Sequence, residues 1–143
     1  MFDEPEICEA AILGRFRRPQ HEGRCEGETH YGELTNSRSG IELGVSLRVG
    51  DGAIACARFE GGGCSVSVAS SSFLVCLIEG RAVEDARRLV ALYREMMYAE
   101  GGEGGERFSE LGSLQALRLV RGMPDRKASA LLAAGVVARL LSP

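Results

Sequence analysis

The chain has 143 residues, with 17 Lys and Arg against 20 Asp and Glu, a net charge of -3, and 45% hydrophobic residues. That size fits one domain spanning 1–143, able to bury roughly two-thirds of its unfolded surface without a disulfide or metal. The acidic balance, the 6% aromatic content and the lack of Trp argue against a nucleic-acid partner, which would call for a basic patch or stacking platforms.

In chain order, Glu4 to Gly14 carries a weak helical stripe of Ile7, Ala10, Ala11 and Leu13, which Gly14 is expected to end. Residues 15–40 are punctuated by Pro19, Gly23, Gly27, Gly32, Asn36 and Gly40, and so read as irregular, with room for a short strand over Thr29 to Leu34. Leu43, Val45, Leu47 and Val49 then alternate with Glu42, Gly44, Ser46 and Arg48, the period of a strand with one buried face. Gly50-Asp51-Gly52 is a turn signal, and Ala53 to Glu60 completes a hairpin. Residues 65–79 are too long for a typical strand and read as a helix stopped by Gly80. Val83, Ala86, Val90, Tyr93 and Met97 form one stripe of a helix over 83–98, with Glu84 and Arg88 spaced to pair. Glu100 to Gly105 is expected to be a flexible loop. A short helix is expected over Glu110 to Leu117, and a last one from Pro124 carrying Ala128, Leu131, Leu132, Val136 and Leu140. Strands and helices are thus segregated along the chain, which gives an α+β fold: a small antiparallel sheet with helices on one face.

The longest apolar run, Phe73 to Ile78, is far short of the roughly 20 residues that span a membrane. The opening Met1-Phe2-Asp3-Glu4 is acidic where a signal peptide is basic. A cytoplasmic protein is expected, with Cys8, Cys25, Cys56, Cys64 and Cys76 mostly reduced. Neither a disulfide framework nor a zinc knuckle can be read from their spacing. Cys56, on a strand face shared with Ile54, and Cys76, in an apolar helical run, read as packing residues; Cys8 reads as partly exposed.

The most informative stretch is Phe59-Glu60-Gly61-Gly62-Gly63-Cys64, followed by Ser65-Val66-Ser67-Val68-Ala69-Ser70-Ser71-Ser72. Three glycines allow a sharp turn and leave room beside Cys64. The thiol then falls at a helix start, where partial positive charge favours thiolate; the alternative is a small buried residue. The serines lack a His and carboxylate placed to activate a nucleophile, and no enzymatic activity is read. The glycines lack the Lys-Ser/Thr of a phosphate loop. His21, Cys25 and His30 form a ligand-like grouping, set against the commoner case of solvated loop histidines. Arg15, Arg17 and Arg18 form a basic cluster, either solvated or suited to an acidic partner. Asp85, Arg87, Arg88 and Arg94 read as a solvated helix face.

Taken together, these segments resemble the SufU-type scaffolds of iron–sulfur cluster assembly, relatives of IscU and of the NifU N-terminal domain. The likeness runs from about Ile7 to Leu141. Arg15 to Gly23 is similar to the family's H-Y-x-x-P-x-N-x-G, and Asn36 to Ile41 sits where it has N-P-x-C-G-D. The stretch around Cys64 resembles F-x-G-x-G-C-x-I-S-x-A-S-x-S and is the most specific piece. Glu79-Gly80-Arg81 is similar to x-G-K, Tyr93 to Met97 to F-x-x-M-M, and Leu111 to Leu117 to L-G-D-x-x-A-L. Pro124 to Leu132 falls on P-A-R-x-K-C-A-x-L.

The resemblance implies a three-stranded scaffold that holds zinc or a nascent iron–sulfur cluster on three cysteines and one aspartate, with a cysteine desulfurase as partner. Of those four positions only Cys64 keeps its residue. Ser39 stands at the first cysteine, Ile41 at the aspartate and Ser129 at the last cysteine; Ala128 stands where relatives carry Lys or His. A serine hydroxyl stays protonated near neutral pH and is a poor ligand for zinc or iron, and isoleucine cannot coordinate. Two readings follow. In one, the chain is a scaffold or sulfur acceptor that works through Cys64, alone or pooled between two chains. In the other, it is a non-metal-binding relative that acts as a partner-binding or regulatory module.

Overall fold

A computed structural model of the chain describes residues 2–36, 41–99 and 106–143. The expected loop at 100–105 lies outside them. Turn chemistry builds the sheet. Strand β2 (Ile41–Gly50) returns as β3 (Ala53–Gly61) through Asp51 and Gly52. Both turn residues have positive φ, 54° and 75°, which a two-residue hairpin with the native twist requires. Strand β1 (His30–Asn36) pairs antiparallel with β2, giving the order β1-β2-β3.

Leu43, Val45 and Leu47 face the core together with Ala57 and Phe59 across the ladder. Ile54 lies opposite Val49 but Cys56 lies opposite Arg48, so Ala55 is an extra residue in the ladder. Such a bulge reverses the side-chain alternation. Ile54 and Cys56 therefore point to opposite faces, contrary to the shared face that simple alternation implies.

On the outer face Cys56 forms a disulfide with Cys25. This corrects the expectation of reduced, merely packing cysteines. The loop carrying Cys25 is laid along the sheet by three further bonds. Gly23 N–H reaches the Phe59 carbonyl at 2.7 Å, Phe59 N–H the His21 carbonyl at 3.0 Å, and Cys25 N–H the Ser46 hydroxyl at 2.9 Å. The edge of β3 is thereby covered rather than left open.

The helices cover the core face. Helix α1 (Pro5–Arg17) runs through Gly14 instead of stopping there. A glycine costs only about 1 kcal/mol in a helix interior, and the next residue, Arg15, stacks its guanidinium 4.4 Å from the Phe73 ring of α2 (Ser65–Ile78). Cys8 of α1 is buried, 3% exposed, and not at the surface.

Helix α2 is buried continuously from Val66 to Val75, so it shows no clean amphipathic period: a helix enclosed on all sides does not need one. In α3 (Val83–Tyr98) the expected stripe is buried at Ala86, Val90, Tyr93 and Met97. Its charges pair differently from the expectation. Glu84 pairs with Arg87, while Arg88 is held between Asp85 and Glu110 at 2.7 Å each.

The expected helix at 110–117 lies within a longer 3₁₀ segment, Glu106–Val120, kinked at Gly112. The last expected helix divides into α4 (Pro124–Ala130) and α5 (Leu132–Leu140). At the break, the buried Tyr93 hydroxyl donates to the Ala130 carbonyl at 2.8 Å, an oxygen that a continuous helix would use for its own next turn. Helix α5 lies tight against β1: a Cβ at Gly32 would stand 3.1 Å from Val136. No helix among the described residues is long and apolar enough to cross a membrane.

Candidate functional site

The site starts from the turn between β3 and α2. Gly61 and Gly62 have φ of 85° and 95°, which side chains rarely tolerate. Gly62 N–H donates to the Glu42 carbonyl at 2.7 Å, and a Cβ at Gly61 would collide with that same carbonyl oxygen. The glycines thus seat the turn directly on the start of β2. Gly63 is exposed, with open space where a side chain would project.

Cys64 follows as the N-cap of α2, with extended backbone (φ -115°, ψ 160°). Its Sγ accepts the Ser67 backbone N–H at 3.4 Å, in the way a serine or aspartate cap would. The side chain is partly exposed. The sulfur therefore sits at the positive end of a 14-residue helix, beside the Ser67 N–H.

The other positions implicated by the resemblance are distributed as follows. Ser129 lies on α4, which packs against α2. It is 4% exposed, and its hydroxyl donates to the Asp125 carbonyl one turn back at 3.2 Å. Ile41 opens β2 opposite Asn36, next to the residue whose carbonyl holds Gly62. Ser39 lies outside the described residues.

Zinc and iron sites are built from thiolate, imidazole and carboxylate donors. A single thiol, and a hydroxyl already engaged with its own helix, do not fit a four-ligand set. Among the described residues no group of three or more His, Cys, Asp and Glu side chains is placed to hold a metal ion. The His21, Cys25, His30 grouping does not assemble either. Cys25 is bonded to Cys56, His21 Nδ1 lies 3.0 Å from Arg58 and 3.6 Å from Glu79, and His30 Nδ1 meets the Thr29 hydroxyl at 2.7 Å.

Sequence reasoning missed three features. The hydroxyls of Ser67 and Ser71 are buried without a hydrogen-bond partner among the described residues, and serine at a helical spacing carries no sign of such burial. Cys76 is half-exposed, with Arg15 Nη1 3.6 Å from its sulfur; its apolar neighbours disguised this. Glu33 and Glu60 flank Gly44 in one row across the sheet. With Tyr31 and Glu42 they line an acidic recess of about 280 Å³ beside Gly61. Burial, then the neighbouring Glu33, pushes the Tyr31 hydroxyl up to about 12. That row becomes readable only once the strand register is known.

Comparison with known proteins places the chain in a family. The NifU-like N-terminal domain matches residues 8–107. The chain is 28% identical over 117 residues to the iron–sulfur cluster assembly scaffold protein IscU of Streptococcus pyogenes serotype M1, covering 82% of this chain and 71% of that one. It is 27% identical over 115 residues to the zinc-dependent sulfurtransferase SufU of Bacillus subtilis (strain 168), covering 80% and 76%. The N-terminal part of a nitrogen-fixing NifU-like protein from Brucella abortus superposes with a TM-score of 0.77 at 21% identity, covering 92% of this chain and 89% of that one, a likeness of fold.

Proposed function

Because the chain belongs to the NifU-like N-terminal domain family, we propose that it serves iron–sulfur cluster assembly as a scaffold-type sulfur acceptor working through Cys64. One observation carries this reading: the retained Cys64 thiol is partly exposed and caps α2, its Sγ accepting the Ser67 backbone N–H. The partner is a cysteine desulfurase carrying a persulfide. The Cys64 thiolate attacks the outer sulfur of that persulfide, a new S–S bond forms on Cys64, the donor's S–S bond breaks, and the donor leaves as a thiolate. No oxidant or reductant is consumed. The chain is a carrier rather than an enzyme.

Zinc or a cluster, if bound, has Cys64 as its one thiolate donor among the four family positions, because Ser39, Ile41 and Ser129 supply none. The engaged Ser129 hydroxyl supports the second reading, a partner-binding module that has lost the site.

The test is anaerobic purification, metal analysis, and incubation with a cysteine desulfurase and cysteine, followed by intact mass spectrometry. Addition of sulfur that vanishes in Cys64→Ala supports the acceptor. Desulfurase binding with neither sulfur nor metal on the chain supports the module and overturns the acceptor.

A further inference from the structure

Five serines fall between residues 65 and 72, and the fold treats them unequally. The Ser70 hydroxyl donates to the Ser67 carbonyl at 3.2 Å. The Ser72 hydroxyl donates to the Gln20 carbonyl at 2.8 Å and accepts the Gln20 N–H at 2.9 Å. Ser67 and Ser71 are both fully buried, and their hydroxyls have no hydrogen-bond partner among the described residues. An unpaired buried hydroxyl carries a desolvation penalty that nothing offsets. A helical serine usually has relief close by, in the carbonyl one turn back, yet Ser67 does not turn to it.

Its oxygen instead faces the glycine turn that delivers Cys64. A Cβ at Gly62 would stand 3.0 Å from Ser67 Oγ, as expected for a side chain leaning toward the start of its helix. The Ser67 N–H already donates to Cys64 Sγ. Ser67 therefore brings two donors to one end of α2, of which one is in use.

We propose that the Ser67 hydroxyl is the donor that holds the outer sulfur of a persulfide on Cys64. This rests on the sulfur-accepting role given above. In the free thiol Sγ takes the Ser67 N–H, and the hydroxyl makes no bond to it. A persulfide adds a second, negatively charged sulfur about 2 Å beyond the first. Sγ keeps the Ser67 N–H and the outer sulfur takes the Ser67 O–H. The unpaired hydroxyl is satisfied only in the loaded state, so the loaded state gains what the empty one lacks.

The test loads Cys64 chemically with inorganic polysulfide. The Cys64 thiolate attacks a sulfane sulfur, one S–S bond forms as another breaks, and the polysulfide leaves one sulfur shorter. After excess reagent is removed without oxygen, peptide mapping follows the persulfide on Cys64 against a fixed concentration of glutathione. Ser67→Ala is expected to shorten its lifetime about tenfold, the effect of losing one hydrogen bond to a charged group, while thermal stability holds or rises. Ser67→Thr restores the lifetime. Ser71→Ala, which removes an equally buried unpaired hydroxyl one turn deeper, leaves it unchanged.

A wild-type lifetime in Ser67→Ala, or an equal loss in Ser71→Ala, overturns the proposal. If polysulfide loads Cys64 but a desulfurase does not, the sulfur-relay reading fails while these lifetimes still decide the role of Ser67. A chain that takes no sulfur on Cys64 from either source overturns both.

Discussion

At Ser72 the hydroxyl meets both backbone groups of Gln20 and the Arg15 guanidinium, whereas at Ser67, little more than one turn earlier on the same helix, it finds no hydrogen-bond partner among the described residues. The second half of α2 is a mooring. Ser72 ties down the chain after α1, Arg15 stacks on Phe73, and Glu79 at the end of the helix takes the Ala57 N–H at 3.0 Å and pairs with Arg58. The first half is set by a glycine turn and presents a sulfur together with an unused hydroxyl. One residue type in one helix thus shows where polar groups hold the fold and where they are left available to a ligand.

The largest expected effect sharpens the first half. Combining Ser39→Cys, Ile41→Asp and Ser129→Cys supplies the thiolates and carboxylate that zinc requires. The triple variant is expected to retain zinc through dialysis, read by elemental analysis, where the parent chain loses it. A metal-free triple variant breaks the correspondence between those positions and Cys64.

Next in size is the turn itself. Gly61→Ala combines a positive φ with a backbone collision and is expected to destabilise the protein by about 3 kcal/mol in denaturant titration. A near-neutral result would mean that the turn has slack and does not fix Cys64.

On the mooring half, Ser72→Ala orphans the Gln20 N–H and is expected to cost about 2 kcal/mol; Ser71→Ala, with no bond to lose, is expected to show no such loss. Equal costs would erase the contrast between partnered and unpartnered hydroxyls.

The smallest effect is acid sensitivity at Glu79. Burial pushes its carboxyl up, but the Ala57 N–H, Arg58 and His21 outweigh it and hold the group below its ordinary value of 4.5. A carboxyl whose pKa is lower in the folded state stabilises the protein above its unfolded value and loses that contribution as pH falls through its folded one. The melting temperature should therefore decline below about pH 4.5, and Glu79→Gln should flatten that decline. An unchanged acid limb in the variant would assign the decline to other carboxylates.

Much of the fold was legible because its signals are local. The alternation over Leu43 to Val49 and the Asp51-Gly52 turn need no tertiary context, and the run of glycines before Cys64 announces a turn that only glycine can make. Features set by distant partners were not legible. Ala55 carries no mark of a bulge; only its pairing against Arg48 and Val49 creates one, and with it the outward placement of Cys56. The division of α4 from α5 falls where Tyr93, a residue on another helix, donates to the Ala130 carbonyl. Gly14 looked like a stop because glycine often is one, but packing of α1 against α2 outweighs so small a propensity. At the site, Cys64 was readable from its glycine setting. The Ser67 hydroxyl was not, since nothing in a serine-rich run tells a buried oxygen from a bonded one.

The disulfide acquires a further meaning in a molecule proposed to handle transferable sulfur. Cys25 and Cys56 are 5% and 8% exposed, and an attacking thiolate must reach a disulfide sulfur directly. Packing therefore insulates the bond from the reactive traffic at Cys64, on this molecule or a neighbouring copy. Two sulfur chemistries, one meant to last and one meant to turn over, can share a small domain without scrambling each other.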